Sequence, residues 1–350
     1  QRTRALWTLW IHSNQFSESD LFLTKPLQYV LDDLKLKDEQ SFQNGTGFVS
    51  SVLKSGSANR LLKLLTNPLL EFDFLQSNVS RFTYLDDLDQ FAYYVLLIVD
   101  VIKTDEKHLK ECFNNELAVI NNAQKLQIAN TNGWDVSTYK SLVFNIINKV
   151  LHMQVDENVF SNQLALNGYY KSVSKCLELF TILLTGNEHN FKEQFPKLLA
   201  DFSQFFEMPV LPEAIELVQV EHLTCLSKML SISESQVVNL NLLHIGEENK
   251  VPTLIKYIVD GLSKTESTVL LQNFVEFMTK SLYSFNDSVF SIVLNLTDAL
   301  IHKIELYFKK ISQETKFSEL TDFETAINIL ITGLEDLLSI SHSYLLSSSF

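Results

Sequence analysis

The stretch Tyr84–Lys103, YLDDLDQFAYYVLLIVDVIK, decides the fold class. Leu85, Leu88, Phe91, Ala92, Val95 and Leu96 recur at steps of three and four, the spacing that lines one face of an α-helix. Thr83 stands where an N-cap belongs, with Asp86 three residues on. Phe91–Val99 is the most hydrophobic window of the chain, and it is closed by Asp100. A membrane-spanning helix needs about 20 apolar residues, so this window reads as a buried core helix. Asp105–Ile128 follows at once, and the two helices are expected to form an antiparallel hairpin.

The same habit runs outward in both directions. Asp135–Met153 carries the stripe Tyr139, Leu142, Val143, Ile146, Ile147 and Val150. Tyr169–Thr185 is read as ending at Gly186, a residue suited to the left-handed turn after a helix. Phe191–Phe206 is closed by Met208–Pro209. Glu213–Leu230, Ser235–His244, Thr253–Leu262, Ser267–Leu282, Ser288–Ile311 and Asp322–Leu346 all read as helices. Ser233 with Gln236 and Thr321 with Glu324 fit capping boxes, Gly261 fits a helix stop, and Pro252 fits a first-turn proline. The N-terminal part is less regular. Asn44–Gly47 and Lys54–Ser57 read as loops, and Asn67–Pro68 as the start of a short helix running to about Gln76.

Composition agrees with a helical chain. There are 9 glycines and 6 prolines in 350 residues, roughly a third of the usual share. Few tight turns and few glycine-lined ligand loops are therefore expected. Hydrophobic residues make up 46% of the chain, and stacking helix on helix buries them locally. So many helices exceed what one bundle core can cover. Helix pairs recur at roughly 35–50 residues, the range of HEAT and armadillo arrays. The expected architecture is an all-α solenoid of stacked HEAT/armadillo-like helix pairs. Residues 1–80 form an irregular N-terminal segment of the stack and 81–350 a continuous array, the whole being a fragment of a longer protein.

Net charge is −14. An acidic surface repels phosphate backbones, so nucleic-acid binding is not expected, whereas basic protein segments are attracted. Cys112, Cys176 and Cys225 lie too far apart in sequence to suggest a disulfide framework. There is no GxSxG, GxxxxGK[ST], HExxH or CxxC pattern, and Gly45–Thr46–Gly47 is too short for a dinucleotide fingerprint. His222 and Cys225 are three apart on one helix, yet a tetrahedral metal site needs two more ligands; a packed cysteine beside a surface histidine is the expectation. Glu188–His189 reads as a solvated loop. The acidic pairs Asp32–Asp33, Asp86–Asp87, Glu247–Glu248 and Glu335–Asp336 read as helix surfaces. No catalytic residue, cofactor or metal is expected, and the chain is read as a non-enzyme.

Aromatic clusters are the remaining signal. Tyr93–Tyr94 and Tyr169–Tyr170 read as core. Phe191, Phe195, Phe202, Phe205 and Phe206 fall on overlapping helical faces and are the candidate partner-binding residues, forming a groove for a short linear or helical segment of another protein.

Val251–Lys310 and Thr321–Leu346, with Gly333–Leu334–Glu335–Asp336–Leu337–Leu338, resemble the C-terminal helical stacks of the large scaffold nucleoporins of the nuclear-pore inner ring. That resemblance implies a non-enzymatic scaffold subunit of a large assembly at the nuclear envelope, with the cytoplasm as the alternative location. A karyopherin-like transport receptor is a second reading, but the tryptophans Trp7, Trp10 and Trp134 form no array. A third is a trafficking or ubiquitin-ligase solenoid whose active module lies outside this chain.

Overall fold

Each periodic stretch offers an apolar stripe too long to leave in water, and the helices form by burying these stripes on one another. The computed structural model describes residues 58–70, 72, 75, 85–117, 137–151, 163–184, 213–231, 253–282, 289–313 and 317–348. Among the described residues are ten helices and one isolated antiparallel bridge, Glu116 with Thr138, but no strand. The chain divides into two compact units, Gln1–Leu183 and Leu184–Phe350.

The first unit holds α1 (Ala58–Leu70), α2 (Leu85–Thr104), α3 (Glu106–Cys112), α4 (Tyr139–Leu151) and α5 (Gln163–Leu184). α1 packs on α2, α3 and α4. Leu61, Leu62, Leu65 and Leu69 of α1 are buried, as are Phe91, Val95, Ile98 and Ile102 of α2. Burying a leucine or phenylalanine side chain contributes about 1.5–3 kcal/mol, so these stripes supply most of what holds the unit. α5 is tied to α2 by Ser172, whose hydroxyl donates to the Leu88 carbonyl at 2.9 Å. It is tied to α4 by the edge-to-face rings of Phe144 and Phe180, 5.1 Å apart.

Two expectations here need correction. Pro68 does not start a helix; it sits in the last turn of α1. Its missing N–H leaves the Leu64 carbonyl without the usual partner, and the helix stops two residues later, at Leu70. The expected helix from Asp105 ends at Cys112. Asn114 and Asn115, weak helix formers, turn back onto the Glu111 and Cys112 carbonyls. The chain then pairs with the entry to α4, Leu117 N–H donating to the Ser137 carbonyl at 3.0 Å and Lys140 N–H to that of Phe113 at 2.8 Å.

The second unit holds α6 (Glu213–Ser231), α7 (Thr253–Lys264), α8 (Thr268–Leu282), α9 (Val289–Ile311) and α10 (Phe317–Ser348). Its packing follows one rule. Consecutive helices α7 and α8, and α9 and α10, lie against each other. Every second helix also stacks on its predecessor: α6 on α8, α8 on α10, and α7 on α9. Two layers result, α6–α8–α10 and α7–α9, which is the stacking order of an α-solenoid. Ser267 caps α8 by accepting from the Leu270 N–H at 3.3 Å, and its hydroxyl donates to Glu216 of α6.

Glycine does more here than stop helices. Gly261 lies within α7, not after it. A Cβ there would sit 2.2 Å from Cζ of Phe274 on α8. Gly333 plays the same part on α10, where a Cβ would meet Cγ1 of Val275 on α8 at 2.8 Å. Thr321 and Glu324 are not a capping box either, because α10 begins a turn earlier, at Phe317.

Candidate functional site

Phe191, Phe195, Phe202, Phe205 and Phe206 lie outside the described residues, as do Asp32–Asp33, Glu188–His189, Glu247–Glu248, Trp7, Trp10 and Trp134. Asp86–Asp87 fall on the first turn of α2. Glu335 and Asp336 are exposed on α10. The tyrosine pairs pack at helix contacts. Tyr93 and Tyr94 are half-buried with rings 5.7 Å apart, and Tyr94 also meets Phe72 at 6.2 Å. Tyr169 and Tyr170 are buried.

Chemistry in the described residues concentrates where the chain leaves a helix. The clearest case is the turn between α7 and α8. Lys303 of α9 points into it from the buried face, one heptad after Leu296 and four residues before Tyr307. Its Nζ donates to the Ser263 carbonyl at 2.9 Å and to that of Thr265 at 2.6 Å. These are among the carbonyls that a helix C-terminus leaves unsatisfied. Burial, together with nearby Lys310, lowers the Lys303 pKa, and Glu266 works against that shift. Lys310 binds Glu266 at 2.7 Å and holds its carboxyl below the usual range. Both lysines lie over the Tyr307 ring, at 5.5 and 5.8 Å, and Tyr307 packs on Phe323 of α10 at 5.8 Å. α7, α9 and α10 therefore meet in one polar-aromatic joint.

The first unit repeats the device. Buried Lys149 of α4 donates to the carbonyl of Leu75, five residues beyond the end of α1. Glu178 of α5 binds Lys103 of α2 at 2.6 Å and Lys175 at 2.8 Å. Burial would raise the Glu178 pKa, but the two lysines together outweigh it and lower it. A lysine inside an apolar stripe is the sequence signal for both clips. Lys303→Met keeps the apolar stem and removes the donor. We expect a loss of about 1–3 kcal/mol in urea unfolding of the full chain; an unchanged midpoint would mean that the two carbonyls find other partners.

His222 and Cys225 share a buried face of α6, and the histidine is 1% exposed, not a surface residue. Burial pushes its pKa down to about 3. No cluster of three or more His, Cys, Asp or Glu side chains able to hold a metal occurs among the described residues. No helix among them is long and apolar enough to cross a membrane.

The chain is similar along its whole length to Protein DOP1 of Saccharomyces cerevisiae, 29% identical over 349 residues. That alignment covers 99% of this chain and 19% of the relative, so the chain spans about a fifth of the relative's length. No family model and no solved structure matches it. The match corrects the nucleoporin resemblance and the nuclear-pore location that it implied. A stack of amphipathic helices carries no diagnostic motif, so texture alone could not separate one solenoid lineage from another. What is established is an all-α chain of stacked helix pairs, similar throughout to Protein DOP1.

Proposed function

We propose that the chain is a non-enzymatic segment of a vesicle-trafficking scaffold, working at Golgi and endosomal membranes through protein contacts. The observation that carries this reading is the whole-length similarity to Protein DOP1. The two-layer stack of the second unit supports it, since such a stack presents long exposed helix faces to partners. The lysine clips fit as well: their donors go to backbone carbonyls and so stiffen the joints between helices. Any activity that the scaffold serves belongs to a module outside this chain.

The test is affinity capture, from native extract, of the polypeptide that contains these residues, with cross-linking and mass spectrometry. Golgi or endosomal trafficking proteins cross-linked to lysines of this chain are the expected result. Capture of nuclear-pore subunits, or of a small GTPase with varied cargo, would overturn it.

A further inference from the structure

The last two helices each carry an inward apolar seam and, beside it, a second seam that the fold covers only in part. On α10 the inward seam is Phe323, Ala326, Leu330, Gly333, Leu337, Ile340 and Tyr344, all buried or half-buried and in strict steps of three and four. A second alternation runs beside it: Ile327, Ile331, Leu334, Leu338, Ser341 and Leu345. Of these, Ile327 is buried at the edge of the core, Leu334 and Ser341 are half-buried, and Ile331, Leu338 and Leu345 are 42%, 63% and 53% exposed. α9 repeats the pattern with Leu294, Thr297, Ile301, Ile304 and Phe308. Leu294 and Phe308 are more than half exposed there, and Ile301 nearly so. Steps of three and four sustained over two heptads are what a helix needs to receive another helix. Scattered surface leucines have no such register.

The two seams border one groove. Going round α9 in the direction of the chain, Lys303 faces α7, then Leu300 and Tyr307 face α10, then comes the second seam. Going round α10 in the same sense, Gly333 faces α8, Phe323 faces α9, and again the second seam follows. Because only five residues separate the end of α9 from the start of α10, and the two helices pack side by side, they run antiparallel. The same order on antiparallel helices puts both seams on the side away from α7 and α8. Acidic side chains edge the groove on both flanks, Asp298 and Glu305 on α9, Glu324 and Glu335 on α10, all exposed. α10 contains no lysine or arginine from Phe317 to Ser348, and Lys309 is the basic exception at the far end of α9.

We infer that this groove docks an amphipathic helix from another protein, one with apolar residues in heptad register flanked on both sides by lysine or arginine. Charge decides the occupant. A second copy of the groove would bring acidic rim against acidic rim, whereas a basic-flanked helix pairs with both. The inference gives the scaffold reading its partner class and rests on that reading. It is tested on purified protein, so it can fail while the trafficking assignment stands.

The probe is a fluorescent 21-residue helical peptide with leucine at both apolar heptad positions and lysine on the flanks, titrated against the full chain. A control peptide carries glutamate on the flanks. The lysine peptide should bind at least about tenfold tighter than the glutamate peptide, and more weakly as salt rises. Ile301→Glu with Leu338→Glu should cost it at least about tenfold, with the urea midpoint of the chain unchanged because both positions are exposed. Equal binding of the two peptides, or full binding to the double variant, would overturn the proposal. So would a concentration-dependent dimer in sedimentation that Leu338→Glu abolishes, because the occupant would then be a second copy.

Discussion

Replacing Gly261 with leucine is expected to destabilise the second unit by about 3 kcal/mol or more, and alanine by about 1–2 kcal/mol. The alanine figure is a contest of two terms. Alanine favours a helix interior over glycine by up to about 1 kcal/mol. Against this, its Cβ would lie 2.2 Å from Cζ and 2.3 Å from Cε1 of Phe274, well inside van der Waals contact. A terminal ring atom can swing away on an open surface. Phe274 has no such room: it is fully buried, with the Tyr257 ring 6.0 Å from its own. The clash must push α7 from α8, so the steric term wins. Because the loss comes from crowding, shrinking the neighbour should relieve it. Gly261→Ala combined with Phe274→Leu should be more stable than the sum of the single changes predicts, by about 1 kcal/mol or more. Urea unfolding of the four proteins reads this coupling directly. Strict additivity would show that the helices separate freely and that Gly261 is not a packing glycine.

Gly261 also shows where sequence reading succeeds and fails on this chain. Helix faces are one-dimensional information, and period alone placed α2, α8 and α9 to within a residue or so at the ends that the structure describes. Pairwise closeness is different. A glycine in the last turn of a helix looks the same in sequence whether it ends the helix or admits a ring from the next one. Pro68 and Thr321 fail for a related reason: both are common at helix starts, and here packing carries the helix past them. The second seams of α9 and α10 are legible as letters, three-four alternations beside the core stripe. Only the exposures of Leu294 and Leu338 show that the described helices leave those two side chains open to solvent. Lys303 and Lys149 were missed because a charged residue in a stripe is ordinarily an edge position. The carbonyls that each binds belong to residues about 40 and about 75 positions away, which no local pattern encodes.

Acidification from pH 7 to pH 5 is expected to remove about 2 kcal/mol of stability from the second unit through His222 alone. The imidazole is fully buried on α6, and that burial takes its pKa to about 3 in the folded chain. Unfolded, it returns to about 6.5. Above pH 6.5 both states hold it neutral, and it adds no pH dependence. Below that value the unfolded chain takes up a proton that the folded chain refuses, so stability rises with pH throughout the window from about 3 to 6.5 and falls as the solution is acidified. One pH unit is worth about 1.4 kcal/mol there. The contribution therefore starts near pH 6.5 and is fully spent near pH 3. Carboxylates held below their usual range also cost stability on acidification, Glu266 of the second unit among them, so the wild-type profile cannot isolate the histidine. His222→Leu can, because every other group titrates equally in both proteins. Its stability at pH 7 will differ by a fixed amount from lost packing and polar contacts. Between pH 7 and pH 5, however, the variant should lose about 2 kcal/mol less than wild type. Parallel profiles would mean that the imidazole is protonated, and solvated, within the folded unit.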